Sequence, residues 1–230
     1  YDQDDSRALV KKVIGDLQLD EKSFVPKAVQ AQISHAKNKM ISPDLMAATV
    51  EGFIDEKISE IYTQYQKSLK VNNALDFDDL LLKPLELFRD YPNRLEYYQN
   101  KYQYVLVDEY QDTNKPQFEL VQAISCEHRD VCVVGDDDQS IYSWRGADVN
   151  NILNFSDIFG DAQIIKLEQN YRSTKTILEC AWAVVSHNSS RAEKKLWTEN
   201  KQGDKLTLVE CRDERDESWK ILKIIRDETV

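Results

Sequence analysis

The stretch Tyr-Val-Leu-Val-Asp-Glu-Tyr-Gln-Asp at 104–112 limits the fold more than any other. Tyr104 to Val107 is short, apolar and β-prone, and its length suits a buried strand better than a helix. Asp108, Glu109 and Asp112 then follow within five residues. In an open α/β sheet, the loops at the carboxyl ends of the strands form the ligand crevice. Two adjacent carboxylates there can hold a hard cation such as Mg2+ and orient a water. The alternative is that these acids solvate a loop and cap the next helix. The residues alone leave both readings open.

The surrounding pattern places this strand in an alternating array. Lys115 to Ile124 reads as a helix, with Asn114 as its cap and Pro116 in its first turn. Val131 to Val134 reads as a second buried strand, Val149 to Phe155 as a helix and Ile164 to Leu167 as a third strand. Ser173 is placed to cap a helix carrying Ile177, Leu178, Ala181, Val184 and Val185; Leu206 to Val209 reads as a strand and Ser218 to Asp227 as a helix. Such alternation implies a mostly parallel sheet with helices on its faces. Residues 188–204 are the expected irregular connection.

Upstream, residues 1–74 read as entirely helical. Leu9, Val10, Val13, Ile14 and Leu17 define one helix within Ser6 to Leu17, and Lys27 to Asn38 a second. Ser42 and Pro43 then start a third, whose apolar stripe runs through Met46, Val50, Phe53, Ile54, Ile58, Ile61, Tyr62, Tyr65 and Leu69. Unbroken, it would be about 40 Å long. In Leu75 to Leu82 the acids Asp76, Asp78 and Asp79 suit a helix start, where they meet free N–H groups and the macrodipole. Pro84 is an expected kink.

Composition excludes some classes of function. The 230 residues are 41% hydrophobic and 31% charged, a globular balance, and no apolar run reaches the roughly 20 residues of a membrane helix. The first ten residues are polar and acidic, unlike a secretory signal, and Tyr1 suggests a piece of a longer chain. Cys126, Cys132, Cys180 and Cys211 show no CxxC spacing and His35, His128 and His187 are scattered, so free thiols in a reducing compartment and no zinc site are expected. The net charge of −11 is uneven: residues 1–74 carry 11 acids against 10 bases, residues 75–166 carry 18 against 8, and residues 167–230 carry 12 against 12. On charge alone nucleic acid is disfavoured, so only a specific site could bind it.

Two further stretches carry candidate chemistry. Gly135 to Gly146 follows the second strand, and its Gln139 can sense a phosphate oxygen or a water. Tyr142, Trp144 and Arg145 combine two aromatics and a guanidinium within four residues, the combination that stacks the bases of single-stranded nucleic acid. The alternative is ordinary core aromatics. In Leu167 to Thr174, Arg172 precedes a helix start, where it can act as an arginine finger or pair with a nearby acid, and Tyr171 can stack on a base.

Together, DEYQDTN at 108–114, GDDDQSIYSWRGAD at 135–148, LEQNYRST at 167–174 and LDFDDLL at 75–81 resemble the UvrD/PcrA/Rep family of superfamily 1 DNA helicases, and within it the PcrA-type branch. Order and spacing agree, and the resemblance covers essentially the whole chain. It implies a RecA-like P-loop NTPase motor fold, with a partial parallel sheet and an inserted all-helical subdomain. Residues 1–74 would be that insertion, 75–166 the second half of the first motor domain, and 167–230 the beginning of the second. It also implies ATP-driven 3′ to 5′ translocation on single-stranded DNA and strand separation at single-strand/duplex junctions, in DNA repair or replication, in a bacterial cytoplasm.

By this resemblance Asp108 would hold Mg2+, with Glu109 beside it as the water-activating base. Gln139 would contact the γ-phosphate of ATP, Arg172 would be the arginine finger and Tyr171 would stack near the adenine. Tyr142, Trp144 and Arg145 would contact single-stranded DNA. A P-loop needs G-x-x-x-x-G-K-[ST]. The chain has six glycines and no Gly-Lys pair, so these 230 residues alone are expected neither to hydrolyse ATP nor to unwind DNA. Two other readings compete: a metal-dependent nuclease or phosphotransfer domain using Asp108, Glu109 and Asp112, and a non-catalytic module binding a protein partner through the long helix.

Overall fold

The computed structural model describes residues 1–49, 51–160, 162–188 and 191–228. It divides into two compact units, Tyr1–Ile164 and Ile165–Val230.

The first unit opens with helices α1 (Gln3–Asp16), α2 (Pro26–Asn38), α3 (Pro43–Thr49) and α4 (Phe53–Val71). Asp2 starts α1 ahead of the expected Ser6: its carboxylate accepts from the N–H groups of Asp4 and Asp5, each at 2.9 Å, and Asp5 closes a capping box. Val10, Val13 and Ile14 of α1 pack with Val29 and Ile33 of α2 and with Ile58, Ile61, Tyr62, Tyr65 and Leu69 of α4 in one buried cluster. Each fully buried side chain of this size contributes about 1.5–3 kcal/mol.

The expected 40 Å helix is not formed. Ser42 does cap α3, its Oγ accepting from the Leu45 N–H at 3.2 Å. Gly52, however, sits at φ +101°, which a right-handed helix cannot contain, and the chain restarts at Phe53. The break also splits the apolar stripe. Ile58 to Leu69 are buried, whereas Phe53 and Ile54 face solvent. Val50 lies outside the described residues.

Helices α5 (Asp79–Asp90) and α6 (Pro92–Lys101) follow. Pro84 lies inside α5 and does not end it. The acids at the start of α5 meet a free N–H there as expected, Asp76 accepting from Asp79, and they also take on a second task. Lys37 of α2 is fully buried, and its Nζ donates to Asp76 Oδ2 at 2.6 Å and to Asp79 Oδ1 at 2.9 Å. The Tyr65 hydroxyl donates to Asp76 Oδ2 at 2.9 Å, and the Asp79 N–H donates to Asp76 Oδ1 at 2.9 Å. Burial alone would raise the Asp76 pKa; the Lys37 charge and these hydrogen bonds outweigh it and hold the carboxyl below its ordinary value. The helical block is thus joined to α5 by a buried ion cluster.

Strands β1 (Val105–Val107) and β2 (Val131–Val133) pair in parallel, with Val105 opposite Val131 and Val107 opposite Val133. Helix α7 (Lys115–Ser125) makes the crossover and begins with a capping box in which Asn114 and Gln117 exchange backbone and side-chain bonds at 2.9 and 3.0 Å. The strands are not fully buried as expected. The Val105, Val107, Val131 and Val133 face is half-buried, whereas Leu106 and its register partner Cys132 are open to solvent. Helices α8 (Asn150–Leu153) and α9 (Phe155–Phe159) replace the single helix expected over Val149 to Phe155, because Asn154 leaves helical geometry at φ −100°, ψ 15°.

The second unit contains α10 (Lys175–Val185) and α11 (Glu214–Glu228). The strands expected at Ile164 to Leu167 and Leu206 to Val209 do not form. An extended run becomes a strand only when a neighbour takes its backbone hydrogen bonds. Among the described residues of this unit, only Gln169 and Trp197 form a bridge. Helix α10 starts at Lys175 after Thr174, one residue later than expected, and no side chain caps it. Instead the N–H groups of Lys175 and Thr176 donate to the Lys201 and Gln202 carbonyls at 3.2 and 3.0 Å. No helix of the described residues is long and apolar enough to cross a membrane.

Candidate functional site

Both strands of the first unit end in polar loops that are bonded into one edge. The Val134 N–H donates to the Val107 carbonyl at 2.8 Å, and the Tyr110 N–H donates to the Val134 carbonyl at 3.0 Å. Tyr110 is fully buried, with its ring edge-on to Phe155 at 5.7 Å, and burial pushes its hydroxyl up to about 12. This anchored ring fixes the turn that carries the acids. Asp108 and Glu109 stay exposed at the mouth of the edge.

Glu109 has left-handed geometry, φ 51° and ψ 42°, ahead of a 3-10 turn over Tyr110–Asp112. Gln18, Met40, Asn73 and Arg129 also have positive φ, but each follows the end of an α-helix, where that conformation is ordinary. Glu109 follows a strand. A non-glycine residue held so costs on the order of 1–2 kcal/mol, and such strain collects at functional sites.

Asp108 Oδ1 accepts the Glu109 N–H at 2.9 Å, and Glu109 Oε2 accepts from Gln111 Nε2 at 2.8 Å. Each carboxylate keeps its second oxygen free of protein donors among the described residues. Two exposed carboxylates with free oxygens fit Mg2+, which uses one or two carboxylates and retains waters. The arrangement can also orient and deprotonate a water.

The loop after β2 is organised by Asp136. Its carboxylate accepts from the Asp138 N–H at 3.1 Å and from Gln139 Nε2 at 2.8 Å. Gln139 is exposed on a 3-10 turn over Asp137–Gln139, on the same edge as Glu109. The segment then runs through a second 3-10 turn, Ser143–Arg145, and returns to the first loop. There the Asp148 N–H donates to the Thr113 carbonyl at 3.0 Å, and Asn114 bridges to Ala147.

Tyr142, Trp144 and Arg145 stand on that returning segment. Trp144 is 72% exposed, so it is not a core aromatic. The Arg145 guanidinium lies 4.6 Å from the Trp144 ring centre and 5.6 Å from that of Tyr142. They border a groove of about 760 Å³ whose other wall includes Arg7, Gln30 and His35 of α1 and α2. An exposed indole beside a guanidinium, at the edge of an open groove, can stack a base and hold a phosphate.

In the second unit, Asn170 Oδ1 accepts the N–H groups of Arg172 and Ser173 at 3.0 and 2.8 Å, and Asn200 Nδ2 donates to the carbonyls of Tyr171 and Ser173. This framework presents Tyr171 and Arg172 outward. The Tyr171 hydroxyl donates to Gln169 Oε1 at 2.8 Å, and the Arg172 side chain makes no ion pair among the described residues.

The sequence reading omitted Gln111, which is 1% exposed and bonds the two strand-end loops together. The signal was available: a neutral amide at the centre of an otherwise acidic turn.

These loops are matched by family models. Residues 1–160 match the UvrD/REP helicase N-terminal domain, and residues 165–229 match the UvrD-like helicase C-terminal domain. The chain belongs to the UvrD/REP helicase family. The junction between the two matches falls where the structure divides into its two units. Among curated relatives, the chain is 46% identical over 224 residues to an ATP-dependent DNA helicase PcrA of Staphylococcus epidermidis, covering 97% of the chain and 31% of the relative. It is 46% identical over 220 residues to the protein of the same name from Leuconostoc citreum, covering 96% and 29%. With that of Staphylococcus aureus it shares 45% over 224 residues, covering 97% and 31%. The chain therefore spans about a third of the length of these relatives.

Proposed function

We propose that the protein carrying these residues is an ATP-dependent DNA helicase that moves 3′ to 5′ on single-stranded DNA and separates duplexes at junctions, serving repair or replication. One observation supports this above the others. The two strand-end loops share one bonded edge, and the loop bearing Gln139 continues directly into the exposed Tyr142–Trp144–Arg145 turn. A change at a nucleotide's terminal phosphate can thus pass along a few residues to a base-stacking surface.

In this reading residues 1–74 are the helical insertion of a first motor domain, 75–166 its second half and 167–230 the start of a second. Asp108, with Glu109 beside it, would hold Mg2+, which would supply charge neutralisation at the phosphates. Glu109 orients the attacking water and takes its proton. Gln139 contacts the γ-phosphate, Arg172 stabilises the charge of phosphoryl transfer and Tyr171 stacks near the adenine. Tyr142, Trp144 and Arg145 hold the single strand.

The test is turnover by the whole protein. ATP hydrolysis that needs Mg2+, rises with single-stranded DNA and is lost in Glu109→Gln supports the reading. Metal-dependent cleavage of single strands without ATP would instead establish the nuclease reading.

A further inference from the structure

We propose that Gln111 is a positioning residue that sets the Glu109 carboxylate and locks it to the loop bearing Gln139; this rests on reading Glu109 as the water-activating base. Every polar atom of the Gln111 side chain is committed. Nε2 donates to Glu109 Oε2 at 2.8 Å and to Asp112 Oδ2 at 3.3 Å. Oε1 accepts the Asp136 N–H at 3.0 Å, and the Gln111 carbonyl accepts from Ser140 Oγ at 3.3 Å. The contacts reach both strand-end loops from one buried residue.

The chemistry of an amide suits this place alone. A carboxylate at 111 would face those of Glu109 and Asp112 with no proton to give. An apolar side chain would leave the Asp136 N–H without its acceptor. Gly135 supplies an independent sign that the contact is close. A Cβ there would lie 2.4 Å from Gln111 Oε1 and 2.7 Å from Ile152 Cδ1, so the loop comes this near only because residue 135 has no side chain.

The bonds form a continuous path. Glu109 Oε2 is held by Gln111, Gln111 holds the Asp136 amide, and the Asp136 carboxylate holds Gln139 Nε2 at 2.8 Å. The group that activates water and the group that senses the phosphate therefore share one buried amide. By occupying Oε2, Gln111 leaves Glu109 Oε1 as the oxygen for the water. It also holds the strained left-handed turn that aims it.

The test is steady-state and single-turnover ATP hydrolysis by the whole protein, with single-stranded DNA saturating. Gln111→Met keeps the length and removes both donor and acceptor. The expected result is a kcat loss on the order of 10–100-fold, the usual effect of removing such a supporting bond, with the KM for ATP within about threefold. In the Glu109→Gln background the same change adds no further loss, because the carboxylate it positions is already gone. A wild-type kcat, a loss carried by KM, or losses that multiply with those of Glu109→Gln overturn the proposal. Full turnover by Glu109→Gln alone defeats the underlying base assignment instead, so the two failures are distinct. Should Gln111→Met not fold, Gln111→Glu keeps the acceptor for the Asp136 amide, removes the donor to Glu109 and Asp112, and sets a charge against their carboxylates. A similar kcat loss then supports the proposal, and an unchanged kcat overturns it.

Discussion

At the scale of single residues, exposure and strain separate working side chains from packing ones. Trp144 is a large aromatic that the fold leaves in solvent, with Arg145 against its ring. Trp144→Ala is therefore expected to weaken single-strand binding by about 1–3 kcal/mol, read by fluorescence anisotropy with labelled oligonucleotide, while the thermal midpoint stays put. Equal affinities would take Trp144 off the strand's path. Gly135 makes the opposite kind of prediction. Gly135→Ala forces the Gln111 contact apart and is expected to cost about 1–3 kcal/mol in denaturant unfolding, a typical cost of overpacking. Sequence alone had marked Trp144 by its company of Tyr142 and Arg145. It could not mark Glu109 as strained, because left-handed geometry is set by the Tyr110 anchor and the Gln111 bond rather than by the residue type.

At the scale of elements, the starts of α3 and α7 and the parallel pair were legible because their causes are local. Asn114 and Gln117 cap α7 from three residues apart, and Val105 to Val107 is β-prone by composition. What misled were features whose cause is distant. The acids of 76–79 carry a helix-start pattern, and Asp76 does accept the Asp79 N–H, but Asp76 and Asp79 also serve a buried lysine 39 and 42 residues away. Lys37→Met removes the only cation from that cluster and leaves two buried carboxylates facing each other. It is expected to cost about 3–5 kcal/mol at pH 7 in urea unfolding. The pH dependence follows from Asp76, whose folded pKa is lowered. Its contribution is present above the unfolded value of about 3.9 and lost as pH falls through the folded one. Asp78 opposes this weakly, since burial raises its pKa and its protonation on acidification favours the fold. The gap between wild type and Lys37→Met is therefore widest at neutral pH and narrows from neutral to acid pH, as the carboxylates protonate first in the variant and then in the wild type. A constant gap across that range would remove the ion cluster from the stability of the fold.

For the whole molecule, the chain carries the acid loops and the stacking turn in one unit and Tyr171 and Arg172 in the other. It has no Gly-Lys pair to cradle phosphates. The 230 residues alone are accordingly expected to show no Mg2+-dependent ATP turnover above a Glu109→Gln control in a coupled phosphate-release assay. Turnover that exceeds that control would mean the phosphates are held by groups other than a P-loop. The same chain exposes Leu106, Ile165, Leu167 and Leu208 at 78%, 72%, 79% and 96%. An apolar dye is expected to fluoresce on it more strongly than on the whole protein.

By itself the sequence determined the helical character of residues 1–74, the parallel pair with its crossover helix, the three motif-bearing loops and the family, because capping, β-propensity and motif spacing act over a few residues. Only the tertiary structure decided the rest. The break at Gly52 and the duty of Lys37 depend on which distant groups meet, and so does the choice of Gln111 as the joint between two acid loops. The runs at Ile164 to Leu167 and Leu206 to Val209 form no strands. Their residue types favour β structure, but a strand exists only where a neighbouring backbone completes its hydrogen bonds.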